Sequence, residues 1–347
     1  MKPSMKIDLV SDTVTKPTPG MMKAMMEAEL GDDVFREDPT VRRLEEKMAA
    51  LFGHEAALFC PSGTMTNQIA LKINTQELDE VIMDVTSHVY LFELGGYSFN
   101  SRVAIHLLHG EDGKFTAEDV KNAIKPKLDW MPNSRLVVIE NSSNRGGGNY
   151  YTLDEILPIA SFCAKNGLKL HLDGARLFNV LAETGESTRD WGRPFDTISI
   201  CLSKGLGAPV GSCLIGKAEA ISRARKIRKV MGGGMRQAGI LAAAGIYALD
   251  HHVERLKEDN DRAKRIGACL KTLPMVREVK PVKTNIVIFS MKEPLTAEWM
   301  LQELAKRGVR ATTIGPGAIR FVTHLDFTGE MCDHLIALLE EMGNLVV

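Results

Sequence analysis

TISICLSKGLGAPVGS, residues 197–212, opens on an almost wholly apolar run of strand length, followed by Lys204 and then Gly205-Leu206-Gly207. A continuous apolar run of five or so residues, bounded by Gly and polar residues, reads as a strand buried on both faces. Upstream, KLHLDGARLFN (169–179) has the same form: a short apolar run that ends on an acid, then Gly, then a helical pattern. Working outward, further candidate strands are Ala57–Cys60, Glu80–Asp84, Ala104–Leu107, Arg135–Glu140, Leu168–Asp173, Thr197–Cys201 and Ser212–Ile215. Helical patterns separate them, such as LDEILPIASFCAKNG (153–167), which stops on Lys-Asn-Gly. Strand–helix alternation of this kind predicts an α/β fold, a mostly parallel seven-stranded sheet with helices on both faces.

The remainder reads differently. From Gly239 to about Leu273 the pattern predicts one long helix. It is followed by an apolar run (Thr284–Met291), a helix (Thr296–Arg307), a strand (Ala318–Thr323) and a terminal amphipathic helix. The expected organisation is an N-terminal segment, 1–20, that contributes to the site, a large domain, 21–245, and a small C-terminal α+β domain, 246–347.

With 44% apolar and 25% charged residues the chain has the balance of a globular protein. A formal net charge of −1 gives no electrostatic reason to expect nucleic acid or an anionic membrane as partner. No apolar run reaches membrane-span length, and MKPSMKIDLVSD lacks the apolar core of a signal peptide. Six scattered cysteines without a CxxC pair fit free thiols in a reducing cytoplasm, and no metal site is expected.

Three segments carry candidate chemistry, each at a strand end, where α/β sheets place ligands. LFCPSGTMTNQ (58–68) offers helix N-terminal N–H groups and the Ser62, Thr64 and Thr66 hydroxyls, with Gly63 allowing close backbone approach. That is a phosphate cup, or else an ordinary Ser/Thr cap. HLDGAR (171–176) sets Asp173 and Arg176 at one rim. Pyridoxal phosphate (PLP) needs an acid against its pyridine nitrogen and a cation for the substrate carboxylate, whereas a capping acid and a surface arginine would need neither. Lys204, thirty-one residues after Asp173, is placed to form an imine with the cofactor's aldehyde. No GxGxxG follows a strand, and DHHVE (250–254) reads as the charged face of a helix.

Over nearly its whole length the chain resembles the threonine aldolases, PLP enzymes of fold type I (aspartate aminotransferase-like). The likeness rests on DLVSDTVTKPT (8–18), GDDVFREDPT (31–40), EAALFCPSGTMTNQ (55–68), SHVYLFELGG (87–96), HLDGARLFN (171–179), CLSKGLGAPVGS (201–212), GGGMRQAGILAAAGIYAL (232–249) and IRFVTHLD (319–326). The resemblance implies that Lys204 carries the cofactor, Asp173 pairs with its ring nitrogen and His88 stacks on the ring. It also implies that Ser62, Gly63 and Thr64 hold the phosphate, and that Ser11, Arg176 and Arg320 hold the substrate carboxylate. The implied reaction splits a β-hydroxy-α-amino acid, threonine or allo-threonine, into glycine and an aldehyde. The implied assembly is a homotetramer, a dimer of dimers, in which the 232–237 loop reaches toward a neighbour's site.

The chain departs from that pattern at four positions. The family's ENTHN reads ENSSN (140–144), so a histidine that reaches the β-hydroxyl becomes Ser143, expected to contact substrate as a hydrogen-bonding group but not as a base. Val10 replaces an arginine, Phe35 a tyrosine, and Arg36 adds a cation that compensates on charge count for the one lost at Val10. Loss of the histidine leaves β-elimination, racemisation or transamination as alternative reactions on the same scaffold.

Overall fold

The computed structural model describes residues 5–345. Seven strands form one sheet, in the spatial order Ala56–Cys60, Ser212–Gly216, Thr197–Cys201, Lys169–Asp173, Ser134–Glu140, Glu80–Asp84 and Ala104–Leu108. Ser212–Gly216 pairs antiparallel with both its neighbours, and every other pairing in the sheet is parallel. The expected strands are present with bounds within one residue. All residues of Glu80–Asp84, Thr197–Cys201 and Ser212–Gly216 are buried, which is why these strands read as unbroken apolar runs rather than alternating ones.

A second, fully antiparallel sheet runs in the order Thr312–Thr313, Ala318–Val322, Ile286–Met291, Val276–Val279. Helices Leu256–Thr272, Ala297–Lys306 and Gly329–Leu345 accompany it. The N-terminal segment joins this part: Ile7–Asp8 pairs parallel with Val309–Arg310, and Ile7 and Leu9 sit in the same apolar core as Ala263, Phe289 and Phe321. The larger core extends along the chain as far as Leu256.

The single long helix expected over 239–273 is two helices, Gly239–His251 and Leu256–Thr272. The break has a physical cause. The first helix buries Ala242, Ala244 and Ala248 in the large core, while the second buries Ala263, Ile266 and Leu270 in the small one. His252 Nδ1, 2.7 Å from the Leu206 carbonyl oxygen, anchors the turn between them. No helix among the described residues is long and apolar enough to cross a membrane.

Candidate active site

The C-terminal ends of the parallel strands converge on one cluster. Asp173, the last residue of its strand, is 2% exposed. Its carboxylate accepts from Asn67 Nδ2 at 2.9 Å and from the Ala175 backbone N–H at 3.2 Å. Asn67 lies in the second turn of helix Gly63–Asn74 and also donates to Glu93 Oε1 at 2.9 Å. Both carboxylates need a donor, so Asn67 turns its NH2 toward them and its oxygen toward His171 Nε2, 3.2 Å away. His171 Nδ1 in turn lies 2.9 Å from Thr197 Oγ1 and 3.1 Å from the Thr197 carbonyl oxygen. Burial pushes its pKa down to about 4, so it stays neutral and fixes the amide's orientation.

His88 opens the short helix His88–Leu91 that follows strand Glu80–Asp84. Its Nδ1 is 3.0 Å from Glu93 Oε1, and a carboxylate only accepts, so Nδ1 carries the proton. Gln68 Nε2 holds the other oxygen of Glu93 at 2.6 Å. Burial works against protonation of His88, but the hydrogen bond to Glu93 and the negative charges of Asp173 and Glu93 outweigh it, and its pKa is raised. Lys204 opposes that shift, which puts its ammonium within electrostatic reach of the imidazole. The Lys204 carbonyl accepts from the Gly207 N–H at 2.8 Å and from Thr15 Oγ1 at 3.3 Å, tying the turn to the N-terminal segment. Gly207, at φ +79°, takes the left-handed conformation that closes this turn.

The N-terminus of helix Gly63–Asn74 has the form of an anion cup. Ser62 Oγ caps it, accepting from the Met65 N–H at 3.2 Å, while the N–H groups of Gly63 and Thr64 belong to the first turn, which has no partner within the helix. Gly63 is required by packing, since a Cβ there would come within 2.6 Å of Cys201 Sγ. Thr66, expected to face the cup, is fully buried and bonds Ser199 Oγ at 2.6 Å instead.

Two arginines adjoin the cluster, Arg176 three residues after Asp173 and Arg320 within electrostatic reach of Arg176. Arg176 directs Nε and Nη2 at the two oxygens of Asp12, both at 2.7 Å, and Asn285 Nδ2 also reaches Asp12 at 3.2 Å. Burial disfavours the Asp12 carboxylate, but Arg176 outweighs it and brings the pKa down to about 2. Arg320, on strand Ala318–Val322, donates to Asn144 Oδ1 at 2.9 Å and to the Val10 carbonyl at 3.0 Å. Its Nε is buried without a partner. Burial and the nearby Arg176 charge lower its pKa to about 10, so its positive charge is the less compensated of the two. Ser11 Oγ caps the turn Asp12–Val14 by accepting from the Thr13 N–H at 3.2 Å.

One expectation needs correction, at Arg36. Ser143 is 2% exposed, and its hydroxyl accepts from the Gly146 N–H at 3.1 Å, with its own O–H still able to donate. Gly113 packs so closely that a Cβ there would lie 2.3 Å from the Ser143 Oγ. Arg36 does not stand in for the missing arginine at position 10. It sits in a left-handed turn (φ +62°) and lines a basic hollow with Arg225, Arg228 and Lys229, while the carbonyl of Val10 is bonded by Arg320. The motif reading missed Asp12, Asn67, Glu93 and Glu140, although all four lie inside or directly beside the quoted segments.

A buried acid, an imidazole, a lysine and a cup of free N–H groups within one cleft fit an aromatic aldehyde carrying a phosphate, and the partly unpaired Arg320 fits a carboxylate beside it. Comparison with known proteins agrees with the fold. A family model described as beta-eliminating lyase matches residues 8–294. Low-specificity L-threonine aldolase 1 of Arabidopsis thaliana is 39% identical over 329 residues, 93% of this chain and 92% of that one. The structure of Leishmania major threonine aldolase superposes with a TM-score of 0.83 at 23% identity, covering 97% of this chain and 99% of that one. Serine palmitoyltransferase with PLP bound superposes at 0.78 and 17% identity, covering 98% and 88%. The chain belongs to the beta-eliminating lyase family, alongside the low-specificity L-threonine aldolases.

Proposed function

We propose that this chain is a PLP-dependent aldolase that cleaves threonine or allo-threonine to glycine and acetaldehyde. The observation that carries the reading is the hydrogen-bonded cluster of Asp173, Asn67, Glu93 and His88 at the strand ends, with Arg320 bonded to the same N-terminal segment that holds the Lys204 carbonyl. Ser62, Gly63 and Thr64 hold the cofactor phosphate, Asp173 the ring nitrogen, His88 the ring face, and Lys204 forms the imine. When bound, the cofactor's protonated ring accepts the electron pair released from the Cα–Cβ bond.

The chain's own residues do the rest. Arg320, with Arg176 and Ser11 beside it, holds the substrate carboxylate and so fixes rotation about N–Cα. Asp12 takes up two of Arg176's N–H groups, which leaves Arg320 the stronger anion attractor. Serine is no base near neutral pH, so His88 is the base for the β-hydroxyl proton, acting through Nε2 while Nδ1–H is held by Glu93.

A homotetramer suits the exposed apolar side chains of Leu91, Phe92, Leu94 and Phe99 that flank His88, and a reducing cytoplasm suits the six free, buried cysteines. Purified protein supplied with PLP is expected to release acetaldehyde and glycine from at least one threonine isomer. No product from any isomer overturns the reading, and pyruvate from serine would favour β-elimination instead.

A further inference from the structure

Glu140 closes strand Ser134–Glu140 in the middle of the large sheet, beside Asp173 across the parallel pairing. It is buried, and its two oxygens go in different directions. Oε2 accepts the His88 backbone N–H at 2.7 Å, and Oε1 accepts the Asn144 backbone N–H at 2.8 Å. Asn144 in turn accepts from Arg320 Nη1 at 2.9 Å. One carboxylate thus connects the start of the His88 helix to Arg320.

Mere helix capping does not explain this arrangement. Ser87 immediately precedes His88, is the ordinary residue type for the task, and makes no capping bond; its hydroxyl is buried without a partner. The unused Ser87 hydroxyl would reach only the second or third N–H of the helix, and a buried carboxylate from another strand, costly to desolvate, takes the first, that of His88. That carboxylate also stands near Asp173, so burial and a like charge push its pKa up to about 6. A group kept at such a position in spite of two opposing effects gains something from the two bonds it makes. What they share is that each ends on a residue facing the cleft.

We propose that Glu140 is a positioning residue that sets the separation between His88 and the Asn144–Arg320 clamp, so that the ring face and the substrate carboxylate are held in register. The inference rests on the aldolase reading for the identity of the substrate and deepens it. Only a carboxylate offers an acceptor at both ends. Glutamine keeps the shape but turns an NH2 against one of the two N–H groups, and aspartate keeps both acceptors on a shorter stem.

The test is a cycle of Glu140→Gln, Asn144→Ala and the double variant, with Glu140→Asp as the conservative control. Three quantities are read: kcat and KM for the threonine isomer the enzyme cleaves, equilibrium affinity of the apo-protein for PLP, and thermal stability. Asn144→Ala is expected to raise KM with PLP affinity unchanged, because it cuts only the Arg320 arm. Glu140→Gln is expected to raise KM at least as far, to lower kcat/KM by roughly ten- to hundredfold, the scale of an ångström-level misplacement, and to weaken PLP binding as well. Glu140→Asp should recover part of each loss, and the double variant should have the KM of Glu140→Gln alone. If Glu140→Gln lowers only thermal stability, with KM and PLP affinity as in the parent, or if the two KM effects multiply, the proposal is wrong. Should Glu140→Gln not fold, the Glu140→Asp and Asn144→Ala cycle carries the same comparison. Failure of the parent enzyme to cleave threonine overturns the aldolase reading alone, since PLP affinity and thermal stability still report on Glu140.

Discussion

The two walls of the cleft are built in different ways. The wall of Asp173, His88, Asn67 and Lys204 comes wholly from strand ends and helix starts of the seven-stranded sheet. Its inner layer is fully bonded, Asn67 serving two carboxylates and a neutral histidine at once, while His88 engages Glu93 through Nδ1 alone. The other wall is gathered from chain-distant pieces: Asp12 from the N-terminal segment, Arg176 from the large sheet, Asn285 and Arg320 from the small one. It is left partly unsatisfied, with Arg320 Nε unpartnered. An inner layer cross-bonded in this way suits a group that stays, and a clamp gathered from distant pieces suits one that comes and goes.

Substitutions can separate the two walls. Arg320→Met should raise KM by roughly a hundredfold, the scale for removing one partner of a charged contact, while leaving PLP affinity near the parent value. An equal loss of PLP affinity would show that the walls are not independent. The pH profile of kcat/KM tests the cross-bonded wall. A base acts deprotonated, and the pKa of His88 is raised, so activity should climb on the alkaline side of the ordinary histidine value of 6.5. His88→Asn should lower the rate and abolish that limb; a variant that keeps the limb assigns the base elsewhere.

Asp12→Asn probes the other wall through stability. The folded pKa of Asp12 is depressed from 3.8 to about 2, so its contribution is complete above 3.8 and is lost as pH falls toward 2. That contribution is about 2 kcal/mol on the scale of 1.36 kcal/mol per pKa unit. Acid titrations of Tm should therefore flatten between pH 4 and pH 2 in Asp12→Asn, a window that follows from the depressed pKa. The smallest effect belongs to Ser143. Ser143→Ala removes one turn hydrogen bond, worth about 1 kcal/mol of stability, and should leave kcat and KM close to the parent values.

The same contrast governs what could be read from the sequence. Buried parallel strands announce themselves as apolar runs, so the sheet, Asp173 and Lys204 were legible, as was the capping Ser62. Asp12 was not, because its partner Arg176 lies 164 residues away and nothing local marks the pairing. Glu140 likewise reaches His88 across 52 residues. The break at His252 escaped because both halves carry a helical period, and only the existence of two cores divides them. The bond from the Gly146 N–H to Ser143 was not legible either, because a side chain's direction in a tight turn depends on neighbours such as Gly113 that come from a different loop.

The central claim, that Lys204 carries the cofactor, is tested most directly by the absorbance spectrum of Lys204→Ala reconstituted with PLP. The parent protein should show the visible band of a lysine-linked cofactor, and the variant should bind PLP without that band. A variant spectrum identical to the parent's would contradict the account.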